Sequence, residues 1–283
     1  MARKSHPLIL SALLLGKAGT GLAQTPVVGA TQLPTGGTVV GGQASIQSSA
    51  AAMTVNQASN RAVIDWNTFN IGAQAKVNFV QPSAAAVVLN RVLDSNPSQI
   101  LGQLSATGQV FISNPNGVIF GTNARVDVGG LVATSQSMTA SDFMAGKSTF
   151  AGGNANASVL NQGTLQATLG GYIALLAPQV RNEGVIVARE GTVVLSARSA
   201  STIMRTVINN TGSIQAPTLV EKGGRIVLEG GEQGVVRVGG NLNASATDPG
   251  GKGGSIVATG DKVQVTSDAR LDVSGPAGGG KIN

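Results

Sequence analysis

The chain has 283 residues, a formal net charge of +6, 40 Gly, 3% aromatic and 11% charged residues, and is long enough to bury a sizeable core in one large domain or two small ones. Charged residues fall far below the roughly 25% of an average soluble protein, yet hydrophobic residues reach 42%, which excludes disorder from low hydrophobicity. Short β-branched runs separated by glycine predict an all-β chain.

The first segment, "MARKSHPLILSALLLGKAGTGLAQ", carries a basic start at Arg3 and Lys4, an apolar run over residues 8–15 and small residues at Gly21-Leu22-Ala23. That pattern predicts a secretory signal over residues 1–23, cut between Ala23 and Gln24, with the Sec translocon as its reader. The apolar run is shorter than the roughly 20 residues of a membrane span. Loss of Arg3, Lys4 and Lys17 lowers the net charge from +6 to +3. The remaining charges are scattered, without a basic stripe, so no nucleic-acid partner is expected.

Next come "GTVVGGQASIQSS" and "MTVNQASNRAVIDWNTFNIG", which alternate apolar and polar residues as half-buried strands do. "TASDFMAGK" is the one helical fragment, with Ser141 expected to cap it and Gly146 to end it.

The second half repeats. "NQGTLQA" at Asn161, "NEGVIVA" at Asn182 and "NTGSIQA" at Asn210 share one pattern, and "GGYIAL" at Gly170, "GGRIVL" at Gly223, "GGSIVA" at Gly253 and "GGKIN" at Gly279 share another. The intervals are 21, 28, 30 and 26 residues, with one gap of 53 that reads as two turns. Periods of about 20–50 residues indicate solenoids or propellers. Propeller blades run longer and are richer in aromatics, so a β-solenoid is predicted. Ile173 and Leu175, Ile226 and Leu228, and Ile256 and Ala258 share a parity and should stack as interior ladders about 4.8 Å apart. Glycines are expected to supply φ > 0 bends between faces. Asn161, Asn182 and Asn210 are expected to stack as a corner amide ladder.

Chemistry is sparse. His6 is the only histidine and leaves with the signal, and there is no cysteine, so no Ser-His or Cys-His hydrolase and no ordinary zinc site is expected. β-Helices also host sugar-cleaving enzymes, which need two carboxyls roughly 5–9.5 Å apart. Glu229 with Glu232, and Asp268 with Asp272, are the nearest pairs, and solvated turns are the expected reading of both. "TDPGGKGGS" at Thr247 has too few aspartates for a calcium-binding repeat. No catalytic residue, metal or cofactor is expected.

Asn114-Pro115-Asn116-Gly117 is good type I turn chemistry. The sequence around it, "VIDWNTFNIGAQAKVNFVQPS" from Val63, "VVLNRVLDSNPSQILGQLSATGQVFISNPNGVIFG" from Val87 and "ARVDVGGLVATS" from Ala124, resembles the secretion domain of filamentous-haemagglutinin-type exoproteins of the two-partner secretion pathway. Part of that family carries an NPNL tetrapeptide ahead of LNRV, where this chain has Gln81-Pro82-Ser83.

The resemblance implies a right-handed parallel β-helix with N-terminal capping strands. It also implies recognition in the periplasm by the POTRA domains of an outer-membrane barrel transporter, passage through the barrel unfolded, and a secreted or cell-surface product. Asn114, Pro115, Asn116 and Gly117 map onto the family's NPNG motif, and Asn90, Arg91 and Val92 onto its LNRV segment. The turn is expected to act in folding rather than by direct contact, and Trp66 and Phe69 to plug the core of the cap. Residues 77–80 and 87–92 are candidates for pairing with a POTRA sheet edge. The expected organisation is a signal over 1–23, a secretion domain over 24–180 and continuing repeats over 181–283. Host-cell or surface glycans would be met by a later part of an adhesin-like product. The alternatives are a β-helical polysaccharide-active enzyme and a stand-alone surface adhesin. A cysteine-free chain suits unfolded passage, and equally a repetitive core that needs no disulfides.

Overall fold

Alternation of apolar and polar residues places one set of side chains inward along each short strand. The computed structural model describes residues 27–147, 149–197, 207–217, 224–232 and 234–283, and the expected cleavage site at Ala23 and Gln24 lies outside them. The described strands stack in parallel as three faces of a coil.

The first face runs from Ala52–Gln57 through Lys76–Val80 and Gln103–Ala106 down to Arg270–Asp272. The second runs from Arg61–Trp66 through Val87–Val92 and Gln109–Ser113 to Lys281–Ile282. The third runs from Ser98–Ile100 through Val118–Phe120 and Ser158–Asn161 to Lys262–Val265. The long strands Arg125–Thr134 and Thr164–Leu176 serve the first two faces in turn, through a register shift after Val128.

Ahead of the coil, Ala44–Ser49 pairs antiparallel with Ala52–Gln57, and Thr38–Gly41 pairs antiparallel with Arg61–Trp66. These strands cover the leading edges of the first two faces, which would otherwise present unpaired backbone. The fold is therefore the expected parallel β-helix with N-terminal capping strands.

Its core is a set of ladders. Val88, Val110, Leu131, Ile173, Val193, Ile226 and Ile256 follow one another in register on the second face, all buried. Val193 supplies the rung inside the 53-residue gap, so that gap is two turns. On the third face, Asn161, Asn182 and Asn210 are in register and fully buried. Asn161 Nδ2 donates to Asn182 Oδ1 at 2.8 Å, and Asn182 Nδ2 to Asn210 Oδ1 at 2.8 Å. Asn210 Nδ2 ends the chain of amides on Gly239 O at 2.6 Å.

Two expectations need correction. Gly170 and Gly240 do bend with positive φ, at +73 and +66, but the corner glycines Gly163, Gly184 and Gly212 do not. Their corner brings successive coils so close that a Cβ on Gly184 would lie 2.2 Å from Gly163 O, and one on Gly212 2.2 Å from Gly184 O. These glycines are required by backbone approach rather than by handed bends. The helix spans Ala140–Met144 and is capped by Thr139, whose hydroxyl accepts from Asp142 N at 3.1 Å. Ser141 lies inside the first turn, two positions past the cap, and so cannot serve the free N–H groups as the cap does.

That helix belongs to the connection over residues 135–157, which folds over the outside of the second face. Phe143 and Met138 pack there on Val63, Val87 and Leu89, beside Phe111 and Phe150. Arg61 sits 5.4 Å from the Phe143 ring centroid and donates to Phe143 O at 3.1 Å. The N-terminal coils thus have a second, smaller apolar cluster outside the main one.

Candidate functional site

The asparagine turn forms a corner between Gln109–Ser113 on the second face and Val118–Phe120 on the third. Gly117 N donates to Asn114 O at 2.9 Å, closing the turn, and Asn116 N donates to Asn114 Oδ1 at 2.9 Å. Asparagine is suited to this because its short amide can hydrogen-bond its own backbone two residues on. Gly117 has φ +108, and a Cβ there would come within 2.4 Å of Ser158 O. Only glycine fits.

Both amide side chains then reach to the corner one coil earlier. Asn114, fully buried, donates from Nδ2 to Asn96 O and to Ser98 Oγ, each at 3.0 Å. Asn116 Nδ2 donates to Asp94 O at 2.8 Å. The receiving corner, Asp94-Ser95-Asn96-Pro97, is held by Asp94 Oδ1, which accepts from both Asn96 N and Asn96 Nδ2 at 3.0 Å. Pro115 is half-buried, and its carbonyl accepts from Asn154 N at 3.3 Å. The turn therefore ties together three successive connections. Sequence reasoning did not single out Asp94 to Pro97 as the partner. Its signal was a second Asx-Pro turn lying just ahead of the first.

The LNRV strand is one coil above. Asn90 points inward between Ile64 and Ile112 in an otherwise apolar ladder and is fully buried. Its Oδ1 accepts from Trp66 Nε1 at 2.9 Å and its Nδ2 donates to Phe111 O at 3.2 Å. Arg91 faces outward and holds Asp65 with two hydrogen bonds of 2.7 Å. Val92 is buried in the main core. Trp66 and Phe69 are buried at the first coil, edge to face with centroids 5.5 Å apart.

At the opposite corner stands the segment that departs from the family's NPNL. Gln81 is buried; its Nε2 donates to Gln57 Oε1 at 3.0 Å and to Ala86 O and Gln109 O at 3.2 Å, and its Oε1 accepts from Gly108 N at 2.8 Å. A glutamine here staples neighbouring coils much as the asparagines do at theirs. The stretches 77–80 and 87–92 are both interior strands, each hydrogen-bonded to a neighbour on both sides. Neither offers a free edge in the folded molecule.

Of the carboxylates singled out earlier, Glu229 ends the strand Arg225–Glu229, and Asp268 and Asp272 are held by turns. Asp268 is held below the usual carboxylate range by the Thr266 hydroxyl and Gly240 N–H, and Asp272 by the Ser274 backbone N–H. Neither has the raised pKa of a general acid. No cluster of metal-ligating side chains occurs among the described residues, and no helix there is long and apolar enough to cross a membrane.

Comparison with known proteins places this geometry. The family model of the TPS secretion domain matches residues 30–273. The chain is 43% identical over 109 residues to a heme/hemopexin-binding protein of Haemophilus influenzae, covering 38% of this chain and 12% of that protein. It is 31% identical over 187 residues to a hemolysin of Serratia marcescens, covering 56% of this chain and 11% of that one. The matched part is thus only about an eighth or less of either relative. Among solved structures, the HMW1 secretion domain from Haemophilus influenzae superposes with a TM-score of 0.71 at 26% identity, covering 86% of this chain and 74% of that one. The filamentous hemagglutinin secretion domain shares the fold, with a TM-score of 0.54 at 16% identity over 89% of this chain and 99% of that one. The chain belongs to the TPS secretion domain family, the export-signal domains of two-partner-secretion exoproteins that a cognate outer-membrane transporter releases from the cell.

Proposed function

We propose that the N-terminal coils act as both the address and the folding nucleus of the exoprotein, with Asn114, Asn116, Gly117 and Asn90 serving the nucleus. The observation that carries this is the direction of the amides: Asn114 and Asn116 spend their donors on carbonyls of the preceding corner. A corner that satisfies its neighbour's backbone lowers the cost of adding each coil to a formed one, as in other stacked repeats. Trp66 and Phe69 fill the first coil, where the capping strands rather than an earlier coil close the core.

On this reading residues 1–23 direct Sec export, residues 24–180 are the unit read by the transporter's POTRA domains in the periplasm, and residues 181–283 extend the coil. POTRA domains would meet stretches 77–80 or 87–92 before folding, when their backbone groups are free to pair. The domain itself is not an enzyme; Asp268 and Asp272 act as turn caps. The whole exoprotein is an adhesin- or haemagglutinin-like surface product, with host-cell glycans met by other parts of it. The relatives named for heme/hemopexin binding and for haemolysis show how varied such products are.

The test is export itself. Residues 1–283 expressed with the cognate transporter should appear in the medium, and without it should remain in the periplasm. Retention in both cases, beside a transporter shown to release another substrate, would overturn the reading.

A further inference from the structure

Asn116-Gly117 is the single Asn-Gly dipeptide in the chain, and it lies within the turn at the corner. Glycine leaves its backbone nitrogen unhindered toward the preceding side-chain carbonyl. Asn96 and Asn114 are each followed by proline, which has no N–H to become a nucleophile. From this placement we infer that Asn116 is a site of spontaneous deamidation in the unfolded chain, and that the native turn suppresses the reaction.

In the reaction the Gly117 nitrogen loses its proton and attacks Asn116 Cγ. A C–N bond forms, and the side-chain nitrogen departs as ammonia, leaving a succinimide. Water opens the ring at either carbonyl to give aspartate or isoaspartate. No oxidant, reductant or cofactor is needed.

The fold opposes each requirement. Gly117 N–H is committed to Asn114 O at 2.9 Å, and Asn116 Nδ2 is pinned to Asp94 O at 2.8 Å. Gly117 is buried, against Ser158. The nitrogen reaches Cγ only when the turn opens. Once formed, the product does not fit back. Aspartate has no N–H for Asp94 O, and isoaspartate threads an additional methylene through a buried turn. The biological consequence, a time limit on the chain awaiting export, rests on the proposed function; the chemistry does not.

The experiment incubates the purified full chain at mildly alkaline pH, native and in urea, and follows residue 116 by peptide mapping with isoaspartate detection. Conversion in urea should be at least about tenfold faster than in the native protein, because a buried turn opens rarely. It should also lead conversion at every other asparagine. Equal rates, or another asparagine converting first, would overturn the inference. Gly117→Ala in urea should slow the reaction, and that arm does not require the variant to fold. An aged sample is then refolded and treated with protease. The resistant fraction should be depleted in converted chains, and equal proportions in both fractions would overturn the claim that the product does not fit.

Discussion

Trp66 Nε1 donates to Asn90 Oδ1 across 2.9 Å inside the first coils, with both residues essentially removed from solvent. An indole N–H and a carboxamide, each costly to bury alone, satisfy one another between adjacent rungs. Asn90→Leu is expected to lower stability by about 2–3 kcal/mol, since it strands the indole N–H and removes the donor to Phe111 O. Trp66→Phe should cost a comparable amount through lost packing and an unpaired Asn90 oxygen. Urea unfolding of both variants and the double variant measures the coupling. Additive losses would mean that the pair is not a unit.

The amide ladder predicts a sharper asymmetry. Asn182 both accepts and donates at 2.8 Å, and aspartate retains only the accepting half. Asn182→Asp should place a carboxylate oxygen against Asn210 Oδ1 in a buried corner, with a loss of about 3 kcal/mol or more. Thermal unfolding of the two proteins checks it.

Backbone approach, rather than handedness, makes Gly184 essential. Gly184→Ala should destabilise by about 1–3 kcal/mol through overpacking. Gly250→Ala, where a Cβ would meet nothing within 4 Å, should be close to neutral. Equal melting temperatures for the two would contradict the packing argument.

The single tyrosine reports on the second face from outside. Tyr172 donates to Gln109 Oε1 at 2.7 Å across Gly130, where a Cβ would lie 3.0 Å from its ring. Burial pushes its pKa up to about 12. Its neutral form is the one the fold favours, so this stabilisation is complete below the unfolded value of about 10 and is lost as pH rises toward 12. Ultraviolet titration of native and urea-unfolded protein should show tyrosine ionising later in the native state.

Much of this architecture was legible in the sequence because it repeats. Ile173, Ile226 and Ile256 announced an interior ladder by parity, and Asn161, Asn182 and Asn210 a corner by spacing. The reason for the corner glycines was not legible, since close approach and positive φ select the same residue. Asn90 was singled out only by resemblance: one inward polar residue in an apolar strand has no period to betray it. The donors of Asn114 and Asn116 could be foreseen, but not their acceptors. Backbone carbonyls at Asp94 and Asn96 leave no trace in side-chain pattern, and stacking decides which corner lies beneath.

The central claim is that the asparagine turn works by building the coil, and one paired measurement on Asn114→Ala tests it. Equilibrium urea unfolding is set beside binding of the unfolded chain to the cognate transporter. The account predicts a loss of about 2–4 kcal/mol, from a vacated buried site and unpaired groups at Asn96 and Ser98, with binding unchanged. Wild-type stability together with lost binding would contradict it.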